Sequence, residues 1–258
     1  MPDLKHLLLL SYFWPPAGGA GVQRALKLAQ AAPSFGWRVT VVSGQPGARD
    51  SLDPTLLDEV PDHVQVKRVD HLRLDQSGRW LKQWLAPDPY VAWYRPALAA
   101  ARSLATTSTF DAVLSTSMPY TAHLVAKTLC AERRLPWLAD LRDPWTDNHF
   151  LPYYHGSGPV ARWRRWRDGK MERGVYERAD RVTVTAAPLR RLLVEDWGLA
   201  PAKVVLARNG FDEADFAGVL ALPGPRPAVA PETRQGRDMQ LLFAGSIGRT
   251  DFPMCDPA

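Results

Sequence analysis

Short apolar runs alternate with amphipathic segments from residue 7 to residue 206, and this alternation constrains the fold more than any single motif. The opening unit shows it best. An apolar run, Leu7 to Trp14, meets Pro15-Pro16, then the glycine cluster Gly18-Gly19-Ala20-Gly21, then an amphipathic segment of about Val22 to Gln30 that Pro33 ends early. That is the order strand, tight loop, helix. Further strands are expected at Trp37–Ser43, His63–Val69, Asp111–Ser115, Leu135–Asp140, Arg181–Thr185 and Lys203–Leu206. Helices are expected at Tyr90–Leu104, with a kink or start at Pro96, and at Tyr120–Arg133, Val160–Arg178 and Pro188–Asp196. Repeated strand–helix units imply the α/β class: a mostly parallel, doubly wound, Rossmann-like sheet with helices on both faces.

Glycines at the first strand-to-helix turn let backbone N–H groups approach a ligand, and the start of the helix favours phosphate. The segment Gly19-Ala20-Gly21-Val22-Gln23-Arg24 matches only the first two glycines of a dinucleotide fingerprint, because Arg24 stands in place of the third. Such a site also needs a carboxylate after the second strand, where this chain has Ser43-Gly44-Gln45-Pro46. Both departures argue against a nicotinamide-dependent reductase. A glycine turn that merely joins strand to helix is the plain alternative.

With 258 residues, the chain can bury a core without metal or disulfides. Two cysteines, Cys130 and Cys255, make no disulfide framework and fit a reducing, cytoplasmic setting. No apolar run is long enough to span a bilayer. The net charge of +5 is concentrated between Val160 and Arg181, where eight basic residues meet four acidic ones and Trp163 and Trp166 interleave with arginines. A basic, Trp-bearing helix can lie on an anionic membrane surface, which would make the protein peripheral at the inner membrane face. The reading preferred from sequence is a helix whose tryptophans pack on the domain while its arginines are solvated or paired with acids. No nucleic-acid partner is expected, and no His, Cys and carboxylate spacing resembles a zinc site.

After residue 216 the composition changes. Residues 217–238, with Pro223, Pro225, Pro227 and Pro231, read as a linker. Met239 to Gly248 then reads as a new strand and glycine turn, the way a second Rossmann-like domain would open, and ten residues later the chain ends. The domain reading is 1–216, then the linker 217–238, then 239–258 as the start of a truncated second domain.

Several motifs together resemble the GT-B-fold glycosyltransferases of family 4. They are Ser11-Tyr12-Phe13-Trp14-Pro15-Pro16 with Gly18 to Arg24, Asp140-Leu141-Arg142-Asp143-Pro144-Trp145, Ala179 to Val184, Asn209-Gly210-Phe211-Asp212, and Phe243-Ala244-Gly245-Ser246. The resemblance spans nearly all of residues 4–248. It implies one half of a GT-B fold, the half that mainly holds the acceptor. It also implies transfer from a nucleotide-sugar, used as a substrate and without cofactor or metal, to a hydroxyl of a glycan or lipid-linked glycan. Retention of anomeric configuration and a place in cell-envelope polysaccharide synthesis follow from the same likeness. Most of the donor site belongs to a C-terminal domain, so this chain alone is expected to be inactive. A non-catalytic glycan-binding or partner-dependent module is the alternative.

The resemblance places Gly18, Gly19 and Gly21 beside the donor diphosphate and the acceptor. Arg142 can pair with a phosphate or with either Asp140 or Asp143, and Asn209-Gly210 is a turn signal that also reads as a hinge at the cleft. Asp140 and Asp143, directly after a buried strand, are candidate catalytic carboxylates; a structural ion-pair cluster is their plain alternative. Relatives often carry a histidine near the position of Tyr120, which leaves His123 as the candidate catalytic histidine, although helix periodicity reads it as a half-buried packing residue. His149 and His155 fall in the aromatic loop.

Overall fold

A computed structural model describes residues 4–47, 50–74, 84, 86–148 and 158–212. Its first unit runs from Met1 to Gly210. The strands are β1 (Lys5–Leu10), β2 (Trp37–Gly44), β3 (Gln65–Val69), β4 (Ala112–Thr116), β5 (Trp137–Leu141), β6 (Arg181–Val184) and β7 (Val204–Leu206). The helices are α1 (Ala20–Ala31), α2 (Tyr94–Thr107), α3 (Thr121–Arg133), α4 (Pro159–Arg178) and α5 (Ala187–Arg191). The strands form one sheet in the order β3-β2-β1-β4-β5-β6-β7, and every pairing is parallel. The chain therefore winds outward from β1 to β3, returns to the other side of β1, and continues to β7. This is the doubly wound, Rossmann-like sheet expected from the sequence.

Alternation along β1 divides the core into two layers. Leu9 faces the layer beneath α1, with Val22, Leu26, Val39, Val41 and Leu114. Leu8 and Leu10 face the opposite layer, with Ala97 and Leu98 of α2, Val125 and Leu129 of α3, and Val175 of α4. Leu8, Leu9 and Leu10 are each 0% exposed, as a parallel strand covered on both faces requires.

Several boundaries differ from expectation. Strand β1 stops at Leu10, because Ser11 to Gly19 form the turn into α1; Trp14 reaches the α1 layer from that turn. Helix α1 begins at Ala20, directly after Gly18-Gly19, so that Gly21 is its second residue, and Pro33 sits in a separate 3-10 turn at Ala32–Phe35. Helix α2 starts at Tyr94, after a 3-10 turn at Val91–Trp93, so Pro96 falls in a first turn whose N–H groups have no intrahelical acceptor. Past Arg191 the expected helix widens into a π-turn, Leu192–Asp196.

The largest correction concerns α4. Trp163 and Trp166 do not pack on the domain: they are 48% and 60% exposed. The inward stripe is polar instead, comprising Arg164, Asp168, Glu172 and Tyr176 at four-residue spacing, each at most 3% exposed. The expected linker at 217–238 and new strand at 239–258 lie outside the described residues, as do His149 and His155.

Candidate functional site at the carboxyl edge of the sheet

The strand order reverses between β1 and β4, and the loops leaving the carboxyl ends of β1, β4, β5 and β6 meet there. Open α/β sheets bind ligands at such a switch point. From β1 comes the glycine turn. Gly18 N–H donates to Ser51 O at 2.8 Å. Gly19 has φ 90° and ψ 170°, a backbone region essentially closed to residues with a side chain, and it starts α1 with no side-chain cap and no acid in the first turn. The opening N–H groups of α1 therefore keep their partial positive charge for a ligand.

Asp140, near the end of β5, is 3% exposed and is the hub of the site. Arg24 of α1 grips it with Nε at 2.9 Å from Oδ2 and Nη2 at 2.7 Å from Oδ1. Thr116 of β4 donates to Oδ2 at 2.8 Å and Thr183 of β6 to Oδ1 at 2.7 Å. Burial alone would push the carboxyl up. The two Arg24 bonds, the Arg24 charge and the threonine hydroxyls outweigh it, and hold Asp140 below the usual carboxylate range. Its oxygens are taken, so here it acts as the tie joining α1, β4, β5 and β6.

Arg142 leaves the end of β5 and turns back over α1, where Nη1 donates to Gly21 O at 2.6 Å and Ala20 O at 3.3 Å. Its own backbone is pinned by Ser117 Oγ, which accepts from Arg142 N at 3.2 Å, and by Thr185, whose hydroxyl donates to Arg142 O at 2.9 Å. Burial lowers its pKa. Because Arg24 neutralises Asp140, the Arg142 charge is left beside the positive end of α1. Asp143, the next residue, is exposed at the same rim. Asn209 Oδ1 accepts from Arg24 Nη1 at 3.1 Å, which brings the end of the first unit to the same cluster; Gly210 follows, exposed.

His123 stands apart. It is 0% exposed, not half-buried. Trp137 Nε1 donates to Ser115 Oγ at 2.8 Å, and the same Oγ shares a hydrogen bond with His123 Nδ1 at 2.7 Å. Burial pushes its pKa down to about 4. Helix α3 turns this position into the sheet rather than into the cleft, so the ring does not reach the exposed rim.

Two features are absent from the sequence reading. Arg24 is one, because it entered only as a missing third glycine; a buried acid inside the apolar strand Trp137–Leu141 was the signal that a cation must exist to match it. Glu172 is the other. It accepts from Thr146 N at 3.0 Å, from the Thr146 hydroxyl and from the Tyr176 hydroxyl. Together with the stack of Tyr120 on Trp145, centroids 4.6 Å apart and 5° from parallel, it braces the loop that carries Arg142 and Asp143. Among the described residues no three His, Cys, Asp or Glu side chains cluster as a metal site would.

Residues 18–210 match the glycosyl transferase 4-like domain, more than half of the chain. The chain belongs to that family. No curated protein matches it. Among solved structures, Phytolacca americana UGT2, complexed with UDP-2-fluoro-glucose and pterostilbene, superposes with a TM-score of 0.54 at 14% identity, over 84% of this chain and 57% of that one. A UDP-glucosyltransferase from Polygonum tinctorium, capable of glucosylating indoxyl and in complex with 3,4-dichloroaniline, gives 0.50 at 15% identity, over 82% and 52%. The likeness shows the fold, a Rossmann-like half of GT-B architecture. This glycosyl transferase 4-like chain spans little more than half the length of the structures it matches.

Proposed function

We propose that this chain is the acceptor-side half of a glycosyltransferase that moves a sugar from a nucleotide-sugar to a hydroxyl of a glycan or lipid-linked glycan, in cell-envelope polysaccharide synthesis on the cytoplasmic side of a membrane. In this reading residues 239–258 open the donor domain that follows a linker at 217–238. One observation carries it: with Asp140 held by Arg24, the Arg142 guanidinium stands beside the uncapped start of α1, so a positive charge and a helix dipole converge where a diphosphate would leave. Gly18, Gly19 and Gly21 let the diphosphate reach the backbone. Asp143 is the carboxylate at the rim available to acceptor hydroxyls, Asp140 positions the loop through its four-element tie, and Asn209-Gly210 is the hinge. Retention of configuration belongs to the same proposal, with the nucleotide-sugar as substrate and no metal in the step.

The test has two readouts. Inorganic pyrophosphate and a set of nucleoside diphosphates should slow hydrogen exchange in the peptide spanning Gly18 to Val22, and Arg142→Gln should weaken that protection about tenfold, the effect of removing one charge-assisted hydrogen bond of about 1.5 kcal/mol. Radiolabelled nucleotide-sugars offered with a lipid extract should yield product once a donor domain is joined to this chain. No protection and no product would sink the reading. Protection with no product would favour the non-catalytic module.

A further inference from the structure

Helix α4 displays its charges in a way its sequence conceals. Between Val160 and Arg173 lie six basic residues and two acids, Asp168 and Glu172. The fold turns both acids inward, 2% and 1% exposed, along with Arg164. What faces outward is Arg162, Arg165, Lys170 and Arg173, with Val160, Trp163 and Trp166 at 45%, 48% and 60% exposure. Among the described residues none of these four cations pairs with an acid, and the next exposed acid along the helix is Glu177. Trp84, 45% exposed, adjoins this face: the Arg164 guanidinium lies 4.6 Å from its ring centre, and Arg167 Nη1 donates to its carbonyl at 3.4 Å.

Three exposed indoles among cations, with the acids withdrawn, match the chemistry of an anionic lipid–water interface. Indole rings settle at headgroup level, and long basic side chains reach the lipid phosphates. A nucleic acid would also attract the cations, but it would use the ring faces for stacking. Here a face of Trp163 is covered by Arg167 at 5.2 Å and a face of Trp166 by Lys170 at 5.9 Å. Each ring therefore offers a base at most one stacking face, while its edge can still settle between headgroups.

We propose that the outer face of α4 is a docking surface for an anionic bilayer, with Trp163 and Trp166 seated among the headgroups and Arg162, Arg165, Lys170 and Arg173 over their phosphates. Since α4 ends at the amino edge of the sheet, just before β6, its Val160 end lies toward the carboxyl edge, and docking brings the candidate site toward the membrane. The surface goes beyond the transfer reading, because it needs neither donor nor second domain.

The 258-residue chain is floated with phosphatidylcholine vesicles, with and without phosphatidylglycerol, at rising salt. Binding should require the anionic lipid and fade as salt rises. Arg162→Gln/Arg165→Gln should weaken it about thirtyfold, at about 1 kcal/mol per cation. Trp163→Ala/Trp166→Ala should weaken it at least about tenfold, and both variants should keep the parent's thermal midpoint, since all four positions are exposed. No flotation, equal binding to neutral vesicles, or full binding by both variants would each overturn the proposal. So would single-stranded RNA binding that is lost in these variants while vesicles go unbound.

Discussion

At the scale of the residue, Asp140 shows how one side chain joins a site together. It accepts from residues on α1, β4 and β6, and the Arg24 pair reaches across 116 positions of sequence. Breaking a buried pair from one side costs more than the pair is worth, because the partner is left uncompensated. Asp140→Ala should therefore lose about 3 kcal/mol of stability in urea unfolding. The double variant with Arg24→Ala should lose less than the sum of the single losses, with a coupling of about 1–3 kcal/mol. Additive losses would show that the pair does not form. That Asp140 stands at the end of a buried strand was legible, since Leu135–Asp140 reads as one, although its own burial was not. Its partner was not, because nothing local links residue 24 to residue 140.

At the scale of the element, two helices illustrate opposite situations. The start of α1 was readable, since a glycine before an amphipathic run marks the turn and Gly19 needs the backbone freedom that only glycine has. Gly19→Ala should cost about 2 kcal/mol in chemical unfolding, and should also weaken pyrophosphate protection of the Gly18–Val22 peptide. The orientation of α4 was not readable. Its apolar residues define no clear face, so the helix settles according to what its neighbours need. Thr146 in the β5 loop brings an N–H and a hydroxyl that must be satisfied, and Glu172 meets both. Glu172→Ala leaves those donors and the Tyr176 hydroxyl without an acceptor, and should lower stability by about 3 kcal/mol. Glu172→Gln, which keeps an acceptor oxygen, should lose markedly less. Equal losses in the two variants would mean that Glu172 matters only by its volume.

At the scale of the whole molecule, stability against pH is set by buried groups that titrate in opposite senses. His123 is held down to about 4 by burial, so below its unfolded value near 6.5 the unfolded chain binds the proton first, and stability is lost as pH falls from about 6.5 to about 4. Asp88 is raised by burial to about 6 even though it accepts bonds from Thr121 and Tyr90. The native state therefore holds its proton more tightly, and stability is lost as pH rises from about 4 to about 6. The two slopes oppose each other over this window, and each variant should reveal the other. His123→Gln should leave a protein that becomes less stable as pH rises from 4 to 6, and Asp88→Asn one that becomes less stable as pH falls through the same range. Denaturation midpoints at a series of pH values read both, and parallel curves for the two variants would refute the assignment.

The sequence by itself determined the order of strands and helices, the parallel doubly wound sheet and the glycine turn at its carboxyl edge. Those depend on the period of neighbouring residues and on local backbone chemistry, which any short stretch carries. Only the tertiary structure decided that Arg24 closes on Asp140, that His123 is sealed away from the rim, and that α4 buries Asp168 and Glu172 while showing its tryptophans. Each of these outcomes depends on satisfying buried polar groups on segments far apart in the chain, and that requirement exists only once the sheet has brought them together.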